Sequence, residues 1–233
     1  MPGIDQFTKL LLHFKGPDES VDFIDSSPSR KIITAIANAK IDTAKFKFGG
    51  SSGLFDGTDD CLTALDSDDW NFADDDFTID FWEIFNSIAA VQGFFAQSNV
   101  GGYSPVMLLY NSVTGKLNLY TSITGAAWSI NAQAGTKADF AINTLYHIAV
   151  VRHDDEYKVY VDGVADITKT QAGALMDSGG VFTIGANGIA SIWVNGWIDE
   201  FRVSKGIARW TANFTPPASA YSPAGGFFSF LNE

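Results

Sequence analysis

Trp197-Ile-Asp-Glu-Phe-Arg-Val-Ser-Lys-Gly-Ile-Ala-Arg-Trp-Thr-Ala-Asn-Phe-Thr-Pro-Pro217 is the stretch on which the reading of this chain turns. It begins as a strand. Side chains alternate sides along a strand, so Trp197, Asp199, Phe201 and Val203 are expected on one face. Asp199 then sits among three apolar residues. A carboxylate left unpaired there is costly, so it needs backbone N–H donors, an arginine or a cation. After the strand comes a basic, aromatic turn, and Pro216-Pro217 stops regular structure.

Working outward, the same pattern recurs: short β-rich runs broken by Gly, Asn, Asp and Ser. Lys9-Leu-Leu-Leu-His-Phe14 reads as a first strand. Phe77-Thr-Ile-Asp-Phe-Trp-Glu-Ile-Phe85 is the strongest. Its Phe77, Ile79, Phe81 and Phe85 share one face, while Trp82 and Ile84 take the other, as in a central strand covered on both sides. Val106–Tyr110 and Lys116–Thr121 read as a hairpin, with Leu117 and Leu119 inward and Lys116, Asn118 and Tyr120 outward. Leu145–Arg152 and Glu156–Val161 form the next pair, and Asp162-Gly163 is a tight-turn signal because both positions tolerate positive φ. Val181–Gly185 is a further strand. Lys31–Lys40 is the clearest helical candidate, though its Ile and Thr content suits a strand equally well. Such spacing predicts an all-β sandwich or barrel.

The chain has 233 residues, a length at which all-β sandwiches still form one domain. Cys61 is the single cysteine, so packing rather than an internal disulfide must stabilise the fold. It reads as a buried apolar residue. Acidic residues outnumber basic ones, 27 to 15, and a negative surface repels phosphate, so no nucleic-acid partner is expected. Asp66, Asp68, Asp69, Asp74, Asp75 and Asp76 crowd one turn-rich segment but lack the glycine and closing glutamate of an EF-hand loop. No run reaches membrane-spanning length. The start, Met1-Pro-Gly-Ile-Asp-Gln, has neither basic region nor apolar core, so no export leader is expected.

Tyr146-His-Ile-Ala-Val-Val-Arg-His, Tyr157-Lys-Val-Tyr-Val-Asp-Gly163, Lys47-Phe-Gly-Gly-Ser-Ser-Gly-Leu-Phe-Asp-Gly57 and Phe77-Thr-Ile-Asp-Phe-Trp82 stand in an order and spacing, with the stretch above, that resembles laminin-G-like domains of the concanavalin A-like lectin/glucanase class. The resemblance covers roughly residues 7 to 220. It implies a two-sheet antiparallel jelly roll over residues 1–221, followed by an apolar tail, 222–233. The form Gly206-Ile-Ala-Arg-Trp-Thr-Ala-Asn-Phe-Thr-Pro-Pro217 is similar to that in bacteriophage structural and tail-associated proteins. The family often holds structural calcium near its first and last strands, and Asp25 and Asp199 are the matching positions. Relatives often carry an acidic residue after the first strand, where this chain has Lys15.

Retaining hydrolases of this shape resemble one another in a Glu-x-Asp-x-x-Glu strand, because glycoside hydrolysis needs two facing carboxylates. This chain lacks that string. Asp80 and Glu83 are an odd number apart, so they face opposite sides of their strand, and no catalytic residue is assigned. His147 reads as structural. Tyr103, Tyr120, Trp128 and Trp193 flank polar or turn segments and are the candidate sugar platform. Phe227, Phe228, Phe230 and Leu231 follow a Pro- and Gly-rich connector and are candidates for docking on other virion proteins or a second copy. The leading expectation is a non-enzymatic structural or adhesion module of a phage virion. The alternative is a lectin-like module of a bacterium, extracellular or at the cell surface, binding a glycan. A glycoside hydrolase ranks third.

Overall fold

A computed structural model describes residues 3–98, 101–188 and 192–223. Fifteen strands follow one another: β1 (Thr8–Leu12), β2 (Ile33–Ile36), β3 (Lys40–Asp42), β4 (Ser52–Asp56), β5 (Cys61–Ala64), β6 (Phe77–Phe85), β7 (Gln92–Ala96), β8 (Val106–Asn111), β9 (Lys116–Thr121), β10 (Ile130–Ala134), β11 (Leu145–His153), β12 (Glu156–Val161), β13 (Val164–Thr170), β14 (Phe182–Ile184) and β15 (Asn195–Lys205). They form two antiparallel sheets. The eight-stranded sheet runs β13-β12-β11-β6-β15-β4-β3, with β1 also paired to β15. The seven-stranded sheet runs β10-β9-β8-β7-β14-β5-β2. Strands far apart in sequence alternate between the layers, which makes the sandwich a jelly roll. The region offered as a helix, Lys31–Lys40, supplies the edge strand β2, with Thr34 opposite Thr63. Its β-branched residues pack readily on a pleated surface, and pairing settles the choice.

The inward faces meet in one large core in which phenylalanine dominates. Phe81 touches Phe94, Phe95 and Phe201, with its ring stacked 5.5 Å from that of Phe201. Leu117 and Leu119 point inward, as their alternation predicts. Each fully buried phenylalanine contributes roughly 1.5–3 kcal/mol, which is how the chain folds without a disulfide. Asp162 and Gly163 both have positive φ and close the β12–β13 turn. Buried Cys61 has its thiol pushed up to about 11, first by burial and then by the Asp60 and Asp59 charges.

The single-face reading of Trp197, Asp199, Phe201 and Val203 is corrected. The register of β15 against β6 shifts between Asp199 and Arg202, and Glu200 has a φ of 51°. This bulge adds one residue, so alternation changes phase across it. Ile198, Phe201 and Val203 enter the core. Trp197 points the other way, donating its indole N–H to Asp42 Oδ1 at 3.0 Å under the Lys45 ammonium. The bulge also divides β15 into two pairing zones. Residues 195–198 pair with β4 and residues 201–204 with β1.

Candidate ligand-binding face

Each sheet has an outer face, and the two are treated differently. The chain after β15 crosses the outer face of the eight-stranded sheet and seals it. Trp210 joins Ala149, Val151 and Tyr160 in a second apolar cluster, with Ala208 and Phe214 against it. The Trp210 and Phe214 rings stack at 4.1 Å. His147 is wedged under them, its ring centroid 5.6 Å from that of Trp210 and 5.7 Å from that of Phe214.

Beneath the same segment, Arg202 Nε donates to Asp80 Oδ1 at 2.9 Å. The Tyr221 hydroxyl donates to Asp80 Oδ2, and its ring lies 3.7 Å from the Arg202 guanidinium. Burial works to raise the Asp80 carboxyl, but Arg202 and then His147 outweigh it and hold it down at about 2. Arg209 fastens the segment with a two-pronged bond to Asp5, at 3.1 and 2.9 Å. Sequence reasoning named none of Asp5, Arg209 or Tyr221. The basic, aromatic character of Gly206–Pro217 was the available signal, and its role is to cover a face.

The outer face of the seven-stranded sheet carries aromatic side chains instead. On β8, Val106, Leu108 and Tyr110 go into the core, which turns Met107 and Leu109 outward. Opposite Met107 on β9 is Tyr120. Trp128, from the β9–β10 connection, packs on this patch, and its ring centroid lies 5.1 Å from that of Tyr120. Tyr103, from the β7–β8 connection, meets the same indole at 5.2 Å. All three rings are half-buried. They meet at 61° and 63°, so they form an angled cradle rather than a flat shelf. Three of the four proposed platform residues are thereby brought together. Trp193 stands apart in the β14–β15 connection, bridged to Ala186, and among the described residues makes no ring contact with the trio.

The two metal-candidate carboxylates are occupied. Asp25 Oδ1 accepts the N–H groups of Leu11 and Ser27 at 2.9 and 2.8 Å. Its Oδ2 accepts the Ser27 hydroxyl at 2.8 Å and Lys31 N–H at 2.7 Å. A carboxylate offers about four lone-pair sites, and all four here face hydrogens. Asp199 Oδ2 accepts Lys47 and Phe48 N–H, and its Oδ1 accepts Glu200 N–H. Burial pushes the Asp199 carboxyl up to about 7, against those backbone donors and with help from the Glu200 charge. Oxygens ringed by N–H groups do not suit calcium, a hard cation that wants bare oxygens. These side chains pin loops to the sheet.

Asp80 and Glu83 lie on opposite faces of β6, as their spacing requires. Both are fully buried, Asp80 in the Arg202 network and Glu83 on the core side between Tyr146 and Ile198. Neither Glu83 oxygen has a hydrogen-bond partner among the described residues. Burial alone drives its carboxyl well above the usual range. The docking candidates Phe227, Phe228, Phe230 and Leu231 lie outside the described residues.

A laminin-G family model, described as the concanavalin A-like lectin/glucanases superfamily, matches residues 56–209. The chain belongs to that superfamily. Among curated proteins, none matches it. Solved structures of the same shape include the binding domain of Paraclostridial Mosquitocidal Protein 1, at 13% identity and a TM-score of 0.62 over 86% of this chain and 49% of that one. Domain 4 of AbnA, a GH43 extracellular arabinanase from Geobacillus stearothermophilus solved with arabinotriose, gives 16% identity and a TM-score of 0.60 over 86% and 93%. The receptor binding domain of botulinum neurotoxin type G gives 13% and 0.60 over 86% and 48%. This concanavalin A-like domain thus spans about half the length of the toxin domains and nearly all of the arabinanase domain. At these identities the likeness is one of fold.

Proposed function

We propose that this domain is a non-catalytic carbohydrate-binding or adhesion module. Its ligand face is the outer surface of the seven-stranded sheet at Tyr103, Tyr120 and Trp128. The observation that carries the reading is the convergence of three half-buried rings, from two connections and a strand, on one face while the opposite face is sealed. Sugars present apolar C–H faces that pack on aromatic rings, and neighbouring hydroxyls take polar groups. The arabinotriose complex of the AbnA domain and the receptor-binding character of the toxin domains support a binding role on this fold. The buried state of Asp80 and Glu83 supports a non-catalytic role, since neither carboxyl can reach a glycosidic oxygen.

The test is a glycan array followed by affinity electrophoresis with wild type and Trp128→Ala. Loss of one stacking ring is expected to weaken binding about tenfold, with far-UV circular dichroism unchanged. Retention of every array signal by Trp128→Ala, or release of reducing ends by the pure protein, overturns the reading.

A virion setting is the second reading. The resemblance of Gly206–Pro217 to bacteriophage structural proteins favours it, and it is compatible with glycan binding at a host surface. Purifying the native chain with its neighbours tests it. Virion proteins are the expected companions, and a secreted polysaccharide system as companion refutes the setting.

A further inference from the structure

From Ile84 to Ala138 the sequence contains no Asp or Glu, although the whole chain carries 27. That stretch forms β7, β8, β9 and β10, the half of the seven-stranded sheet that holds Tyr103, Tyr120 and Trp128. Among the described residues, the carboxylates bonded to it sit at its margins. Asp66 accepts from Gln97 beyond the end of β7, and Asp166 and Asp139 bind the Thr136–Lys137 corner. None bonds to β8 or β9. The aromatic face is therefore an acid-free island on a protein of net charge −12.

Neutral sugars do not require this. Their hydroxyls donate well to carboxylates, and such charge-assisted bonds are the stronger kind. A site for a neutral glycan gains from nearby Asp or Glu. A site for an anion loses, because each carboxylate repels it, most strongly where the surface is partly desolvated. On the outward side of β9 the order is Lys116, Asn118, Tyr120. Among the described residues Lys116 has no carboxylate partner, unlike Lys137, which is paired with Asp139. Asn118, between the cation and the ring on this side, is 6% exposed, so the contact surface of the strand is made by Lys116 and Tyr120. At about 3.3 Å per residue, Lys116 and Tyr120 lie roughly 13 Å apart along the strand, within reach of one short oligosaccharide.

We propose that the aromatic face takes an anionic glycan, a chain bearing carboxylate or sulfate groups, with Lys116 meeting an acidic group while the cradle holds a ring. This rests on the glycan-binding reading above. The experiment is affinity electrophoresis and titration calorimetry at low and at 0.2 M salt, with four polymers: polygalacturonate, chondroitin sulfate, neutral arabinan and neutral dextran. Single-stranded DNA serves as an anion without sugar-ring selectivity.

The expected result is binding to polygalacturonate or chondroitin sulfate, and which of them binds tells carboxylate from sulfate. Binding should fall as salt rises, weaken about tenfold in Trp128→Ala, and weaken roughly fivefold in Lys116→Glu. Lys169→Glu, an equal charge change on the other sheet, should leave it intact. Binding to arabinan or dextran in preference to both acidic polymers overturns the anionic assignment and leaves the glycan-binding reading standing. Equal weakening by Lys116→Glu and Lys169→Glu, or equal capture of the DNA, also overturns it. Binding to none of the polymers overturns both.

Discussion

Replacing Glu83 with leucine should stabilise this protein, which is unusual for a change in the centre of a core strand. The structure supplies the terms. Glu83 is fully buried on the core side of β6, and neither of its oxygens has a hydrogen-bond partner among the described residues. A buried polar group without a partner costs about 1–3 kcal/mol even when neutral. Leucine of similar size removes that cost and adds apolar contact. The second term depends on pH. The folded-state pKa of Glu83 is raised, so the folded protein holds a proton that the unfolded chain releases above its ordinary value near 4.5. Stability is therefore greatest below that value and declines as pH rises toward the folded pKa, by about 1.4 kcal/mol per unit. The leucine variant lacks this decline.

At pH 5 the variant should thus gain about 2 kcal/mol, a rise in Tm of roughly 4–8 °C for a domain of this size. The gain should widen at pH 6 and pH 7. Glu83→Gln separates the terms, because it abolishes the titration but keeps an unpartnered polar group. Urea titrations and calorimetric melts of the three proteins from pH 4.5 to 7.5 provide the data. A leucine variant less stable than wild type, or one whose stability falls with pH as steeply, refutes the argument by showing that Glu83 has a partner in solution.

Asp199→Asn should flatten the pH curve independently, over a range that overlaps that of Glu83. Its carboxyl is raised to about 7, so wild type loses the corresponding stability between about pH 4 and pH 7, up to about 4 kcal/mol, and denaturant midpoints across that range measure it. Tyr221→Phe removes the hydroxyl donor from buried Asp80 and should cost about 1–3 kcal/mol, with faster amide exchange in the cover segment after β15. A drop of less than 0.5 kcal/mol would show that the contact is not formed. Melting should be the same in chelator and in millimolar calcium, because Asp25 and Asp199 already accept backbone N–H donors; a rise in Tm with calcium would show a cation held in spite of them. Asp25→Ala strands three backbone N–H donors, while the Ser27 hydroxyl keeps the Lys9 carbonyl, and should lower stability by about 3 kcal/mol or more, read by urea titration.

Strand identity and core faces were legible in the sequence because alternation is local. Phe77, Ile79, Phe81 and Phe85 name their shared face by spacing alone, as do Leu117 and Leu119. The same spacing put Glu83 among those phenylalanines, and the gap in acidic residues from Ile84 to Ala138 was there to be counted. The opposite faces assigned to Asp80 and Glu83 needed nothing beyond the two-residue period.

Tertiary structure decided what depends on residues distant in the chain. The bulge at Glu200 reverses the phase of β15 where its partner changes from β4 to β1, and no local pattern announces a change of partner. Asp25 was matched to the family's calcium position by resemblance alone; the donors it accepts come from β1 and a neighbouring turn, and no local pattern shows them. Tyr103, Tyr120 and Trp128 were separate candidates until sheet pairing and two connections brought their rings within about 5 Å. Trp193 had the same local credentials and a different place. Local chemistry chose which side chains can bind or bury, and only the closed sandwich, by fixing long-range neighbours, chose which of them meet.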